Sequence, residues 1–233
     1  MTFSLVGRCA RTGRLGLVVT SSSPAVAARC AWARARVGAV STQNVTDPAL
    51  GPRVLDRLAL GRPAADALDE VMTTAPHAGY RQLAVVDAAG RTASFSGSGT
   101  LGRHSTSGGA DCLAAGNLLA SDQVTAAMAA AFGRRPQDDL AARLLGALRA
   151  GALAGGEEGP VRSAGLLVVD EVPWPVTDLR VDWHDDPIGE LARLWDVWRP
   201  QEAAYVQRAL DPAAAPGYGV PGDPAGSKAA EKR

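Results

Sequence analysis

Lysine is nearly absent from this chain. Only Lys228 and Lys232 carry an ammonium side chain, and both fall in the last six of 233 residues. All other fixed positive charge is arginine, which does not deprotonate and so cannot serve as a base. Neither sign of charge is in excess, since 24 Lys and Arg balance 24 Asp and Glu. With both signs interspersed, the footprint of a nucleic-acid or anionic-membrane partner is missing. The three cysteines, Cys9, Cys30 and Cys112, are widely spaced and include no C-x-x-C pair. That argues against a disulfide framework or a zinc site and for a reducing compartment. No apolar run approaches the ~20 residues of a membrane helix. The start lacks a basic segment followed by an apolar one, so no signal peptide is expected and the expected location is cytoplasmic. A chain of this length can bury a full core in one domain.

What is present is organised around the first 23 residues. Phe3 and Leu5 alternate with Ser4, as in a half-buried strand, and Arg11-Thr12-Gly13-Arg14 supplies a turn. Leu15 to Thr20 is apolar and β-branched, a buried partner strand. Paired as a hairpin, the two bring the chain start opposite Ser21-Ser22-Ser23. Thr is small enough that removal of Met1 by the cell's aminopeptidase is expected, leaving Thr2 as the terminus. One residue would then carry a hydroxyl nucleophile and an α-amine with a reference pKa of ~7.7–8.0, able to accept the hydroxyl proton.

Further along, Pro24–Ala28 and Trp32–Arg36 read as loop or short helix, and Val37–Asn44 as a third strand. Asp47-Pro48 opens a helix that stops at Gly61, and Arg62-Pro63 opens another. Gln82–Asp87 and Arg91–Ser96 form a hairpin, followed by a Gly/Ser/Thr loop from Gly97 to Gly109 and a strand from Asp111 to Gly116. Helices are expected to Phe132 and from Asp138 to Arg149, then a solvated loop containing Glu157-Glu158. Strands at Ser163–Val169 and Asp178–His184 precede a helix from Asp186 to Trp198. Hairpins dominate and βαβ alternation is missing, which predicts an α+β fold with antiparallel sheets covered by helices. The expected organisation is a domain over 1–198, a helix over 199–210, and a disordered Pro/Gly/Ala-rich tail over 211–233.

Two constellations invite other chemistry. Gly97, Gly99 and Gly102 have dinucleotide-fingerprint spacing, but no helix start follows them, and a mobile loop bordering a pocket is the better reading. Asp182, His184 and Asp186 would share one strand face, an arrangement that could suit a divalent cation, yet Asp186 before Pro187 reads more strongly as a helix cap.

The stretches Thr2–Arg8, Ser22–Val26, Ala31–Ala35, Val37–Gln43, Tyr80–Asp87, Gly116–Ala120 and Asp178–Asp182 together resemble the bacterial family catalogued as domain of unknown function 1028, over about residues 2–198. The resemblance implies an N-terminal-nucleophile (Ntn) hydrolase-like fold, a four-layer αββα sandwich, with the nucleophile position at Thr2. Relatives such as proteasome subunits tune that nucleophile with a lysine. This chain has none before Lys228, which leaves the α-amine as the evident base.

The expected function is an amidohydrolase acting on a small amide or related C–N bond. Thr2 attacks, Gln43 and Asn117 contact the oxyanion or substrate, and one of the three serines, taken as Ser22, orients the nucleophile. No metal or organic cofactor is expected. The partner is a small-molecule substrate, and analogy with the superfamily admits a homo-oligomer. The alternative is a non-catalytic ligand-binding or assembly module on the same fold.

Overall fold

The computed structural model describes residues 2–220. Met1 and residues 221–233, the larger part of the tail expected to be disordered over 211–233, fall outside the described residues. The chain divides into a unit ending at Arg193 and a second beginning at Leu194.

In chain order the strands are β1 (Thr2–Arg8), β2 (Leu15–Ser21), β3 (Ala31–Arg34), β4 (Gly38–Asn44), β5 (Arg81–Asp87), β6 (Thr92–Ser96), β7 (Ser105–Gly109), β8 (Cys112–Asn117), β9 (Ser163–Val169) and β10 (Pro175–Val181). The helices are α1 (Val26–Cys30), α2 (Leu50–Ala59), α3 (Ala64–Thr73), α4 (Gln123–Gly133), α5 (Leu140–Leu153), α6 (Pro187–Trp198) and α7 (Glu202–Leu210). Two antiparallel sheets result, ordered β10-β9-β2-β1-β8-β7 and β3-β4-β5-β6. Among the described residues, no helix is long and apolar enough to cross a membrane.

Strand periodicity sorts the side chains into layers. Val6, Leu17, Val19 and Ala115 of the six-stranded sheet meet Ala39, Ala84 and Val86 of the four-stranded sheet in a buried layer between them. The opposite face of the small sheet, Val40, Leu83 and Val85, packs on Leu50, Val54 and Leu58 of α2 and Leu68 and Val71 of α3. On the opposite face of the large sheet lie α4 and α5. A Cβ at Gly7 would stand 2.7 Å from the Phe132 ring, so glycine there is what lets β1 and α4 approach. The order helix, sheet, sheet, helix is the expected α+β sandwich.

Four local expectations are corrected. Ala31–Arg34 is the edge strand β3: Ala31 and Ala33 face the intersheet layer while Trp32 faces α2, a period of two that the Ala/Arg composition masked. Ser105–Gly109, expected as loop, is the edge strand β7. The Ser105 and Ser107 hydroxyls lie 2.8 and 2.9 Å from Thr125 Oγ1 of α4, so hydroxyl pairs do there what apolar contact does elsewhere. The last strand starts at Pro175, three residues earlier than expected, on an edge where a missing N–H is tolerated. Helix α5 runs to Leu153, through Gly151, whose missing Cβ makes room for Met128 and Phe3.

The second unit carries α7. There the Trp198 and Tyr205 rings stack with centroids 5.0 Å apart, and the Arg208 guanidinium lies 4.0 Å from the Tyr218 ring centroid.

Candidate active site

The intersheet layer changes character at one end. Along β1 the inward side chains run Val6, Ser4, Thr2; along β2, Leu17, Val19, Ser21; along β8, Leu113, Ala115, Asn117. The facing sheet does the same, with Ala39, Ser41, Gln43 on β4 and Val86, Ala84, Gln82 on β5. Five strands thus turn polar at the same edge of a closed core. Ser4, Ser41, Gln43, Gln82 and Asn117 are fully buried, Ser21 is 1% exposed and Thr2 5%. Burying this many polar groups is costly unless they satisfy one another, and they do so as a network.

One backbone carbonyl orients that network. Gly116 O can only accept, so the Gln82 atom 3.1 Å from it is the amide nitrogen. Gln82 Oε1 is then turned to accept from Gln43 Nε2 at 2.8 Å and Asn117 Nδ2 at 3.0 Å. Gln43 Oε1 in turn accepts from Ser4 Oγ at 2.7 Å and Ser41 Oγ at 3.2 Å. This leaves Asn117 Oδ1 buried with no hydrogen-bond partner.

Thr2 occupies the first position of the central strand β1, opposite Asn117 in the register with β8. Its hydroxyl donates to Ser21 Oγ at 3.3 Å, and Ser21 Oγ also accepts from the Ser23 N–H at 3.1 Å. The hydroxyl beside Thr2 is therefore that of Ser21. Ser22, the expected partner, lies one residue past the end of β2, is half-buried and is engaged with Glu157 instead. Asn117 is beside Thr2 as expected, whereas Gln43 meets Ser4, one pleat deeper. Positive φ angles at Leu118 (49°), Asn44 (71°) and Ala25 (50°) follow Asn117, Gln43 and the serine run respectively. Such backbone persists only where surrounding contacts over-determine it.

Glu157, like the hub Gln82, is a residue that sequence reasoning missed. Expected on a solvated loop, it is 6% exposed, and its Oε2 accepts from the Ser22 N–H at 3.2 Å. Burial pushes its carboxyl up to about 7, against the opposing charge of the chain's amino terminus and the hydrogen bonds from Ser22. Its Oε1 has no partner. Glu158 beside it is exposed, and nothing in the Gly-Glu-Glu-Gly stretch distinguishes the two.

The other constellations dissolve into structure. The Gly97–Gly102 loop is pinned rather than left open, with Gly99 N–H donating to Gly79 O, Leu101 N–H to Asn44 Oδ1 and Leu118 N–H to Leu101 O. His184 Nδ1 accepts from the Asp186 N–H, and Asp186 Oδ1 from the Gly189 N–H, so both side chains close the turn into α6. Among the described residues no cluster of three His, Cys, Asp or Glu is placed to hold a metal. Arg34 and Arg36 pair with Asp56 and Glu171, and Arg29 donates to Ala25 O. A groove of about 220 Å³ runs between α3 and β6, lined by Leu68, Met72, Ala93 and Phe95. It lies on the outer side of the small sheet and contains none of the Thr2 group.

Residues 2–191 match the model of a family of unknown function, DUF1028. The chain belongs to that family. DUF1028 is also the family of a Silicibacter pomeroyi protein whose crystal structure is similar to this fold, with a TM-score of 0.78 and 31% identity, covering 84% of this chain and 88% of that one. Comparison with curated proteins finds no match. Membership in DUF1028 thus extends over the whole polar end of the sandwich, from Thr2 through Asn117 to Glu157.

Proposed function

We propose that this DUF1028 protein is an Ntn-type amidohydrolase that cleaves a small amide or related C–N bond through Thr2 after loss of Met1. The observation that carries the reading is that five strands turn polar at the edge where Thr2 stands at the first position of the central strand, with Ser21 on its hydroxyl and Asn117 opposite it in register. A threonine with no catalytic task needs no such surround, and two buried oxygens beside it, on Asn117 and Glu157, are left without a partner at a cost.

The chemistry follows from the atoms available. Thr2 Oγ attacks the substrate carbonyl carbon while the α-amine accepts the hydroxyl proton. The C–N bond then breaks, and the departing nitrogen takes that proton from the α-ammonium. Water, deprotonated by the same amine, attacks the acyl ester and restores the Thr2 hydroxyl. Asn117, opposite Thr2, is the amide best placed to meet the substrate, and Ser21 orients the nucleophile. Gln82, itself held by Gln43, accepts from Asn117 and holds it from behind. Each of these steps proceeds on protein groups. In this reading the enzyme is cytoplasmic and takes a soluble small molecule.

A ligand-binding module is the second reading. What favours it is that Asn117 Nδ2 and Gln43 Nε2 both already donate to Gln82. Intact mass and turnover on a panel of small amides separate the two. The enzyme reading expects a chain lacking Met1, amine release by wild type and none by Thr2→Ala. Retained Met1, or equal release by Thr2→Ala, refutes it.

A further inference from the structure

Strand register locates Glu157 relative to the start of the chain. Thr2 pairs with Asn117 on β8, and Phe3 pairs with Thr20 on β2, so Ser21 flanks Thr2 on the other side. Beyond Asn117 that chain continues through Leu118 and Leu119. Leu119 forms an antiparallel bridge with Glu157, closed by the Ala120 N–H to Gly156 O at 3.0 Å and the Glu158 N–H to Leu118 O at 3.1 Å. The opposite edge of this stretch is taken by the loop before β7, through Leu118 N–H to Leu101 O and Leu119 N–H to Arg103 O. Glu157 therefore stands on the β1 side, in the line of β1 ahead of Thr2. The Ser22 N–H, on the continuation of β2, ties its carboxylate across the same gap.

Two buried oxygens around this position lack a donor, Glu157 Oε1 and Asn117 Oδ1. Both belong to residues at least nine-tenths buried, and an amide or carboxylate oxygen in that state is costly. Neutral hydroxyls are plentiful here, so what the pair lacks is a group with several protons and positive charge. Loss of Met1 creates one, because the Thr2 nitrogen becomes an ammonium with three donors.

We propose that Glu157 and Asn117 form a cradle for the α-ammonium of Thr2, Glu157 being the positioning residue that holds the amine and sets its basicity. The inference rests on reading Thr2 as the processed terminus. Under the Ntn reading it assigns to a carboxylate acting on the amine the role that lysine fills in proteasome subunits. The neighbouring charges are accounted for: Arg103 donates to the Leu119 and Ala120 carbonyls and pairs with Asp122, and Glu158 is exposed.

The test uses full-length chain released at Thr2 from a cleavable N-terminal fusion, with the α-amine titrated by NMR after isotope labelling. Glu157→Gln keeps an acceptor for the Ser22 N–H but removes the charge. The amine's midpoint is expected to fall by about one pH unit, the size of a close opposite-charge effect. Glu158→Gln is expected to leave it unchanged. A midpoint that moves no more in Glu157→Gln than in Glu158→Gln overturns the proposal. A reciprocal measurement needs no substitution: acetylating the Thr2 amine of wild type should raise the Glu157 carboxyl midpoint, and an unmoved carboxyl refutes the cradle. Both readouts are independent of turnover. A cradle that holds in a chain inactive on every amide separates its success from failure of the hydrolase reading.

Discussion

Gln82 is the keystone of the polar layer, and replacing it with leucine tests whether the network is as connected as its distances indicate. The change keeps the approximate volume and removes every hydrogen bond of the side chain. Gln43 Nε2, Asn117 Nδ2 and Gly116 O would each lose their Gln82 partner in a dry layer, while Ser96, on the edge strand β6, can turn toward water. At about 1–3 kcal/mol for each buried group left unsatisfied, the floor is about 3 kcal/mol of lost stability. That is a large part of the ~5–15 kcal/mol that holds a domain together. Urea unfolding followed by tryptophan fluorescence reads this as a lower midpoint at unchanged slope. Gln82→Leu should also weaken any activity, since Asn117 loses its support. A loss below about 1 kcal/mol would mean that the layer admits water or that the amides do not depend on Gln82.

Gly7→Ala should cost about 1–3 kcal/mol, because the new methyl would meet the Phe132 ring at 2.7 Å and a buried aromatic has little room to move; a neutral result in thermal unfolding would contradict the packing of β1 on α4. In chain retaining Met1, Glu157 should make stability depend on pH. Its folded pKa of about 7 lies above the ordinary value of 4.5, so the native state binds the extra proton. The contribution of this group is then full below pH ~4.5 and is lost as pH rises through 7, by up to about 3 kcal/mol. Glu157→Gln should flatten that slope between pH 5 and 7.5 in urea titrations, and a slope identical to wild type would place the carboxyl in water.

Much of this arrangement is written in local pattern. The β1–β2 hairpin was legible from its two runs and the Gly13 turn and brings Thr2 opposite the serine run, but β1 is buried on both faces rather than half-buried, because Ser4 points into the intersheet layer. The strand ends at Gln43 and Asn117 are equally visible, as amides closing apolar runs. What sequence could not supply is the choice among neighbours. Whether Ser21 or Ser22 faces inward depends on a one-residue register that only pairing with β1 and β9 fixes. Gln82 looked like the first residue of an ordinary hairpin, and its place as hub appears only when the two sheets stack. Glu157 was the least legible, because an acidic pair among glycines has the composition of a surface loop. Its burial arises from long-range bridging to Leu119 and Ser22. Edge strands β3 and β7 were hidden for a related reason: the inward positions of β3 are only Ala31 and Ala33, β7 is all Ser, Thr and Gly, and partner strands and α4 hold them.

The central claim is that one residue supplies both attacking oxygen and base, and an electrophile that needs both groups addresses it most directly. An α′,β′-epoxyketone closes a ring through a hydroxyl and the amine on the adjacent carbon. Incubated with the purified protein and mapped by mass spectrometry, it should give a single adduct confined to the Thr2 peptide and none on Thr2→Ala. A chain that begins at Thr2 and yet stays unlabelled, or carries the adduct on another residue, would contradict the account.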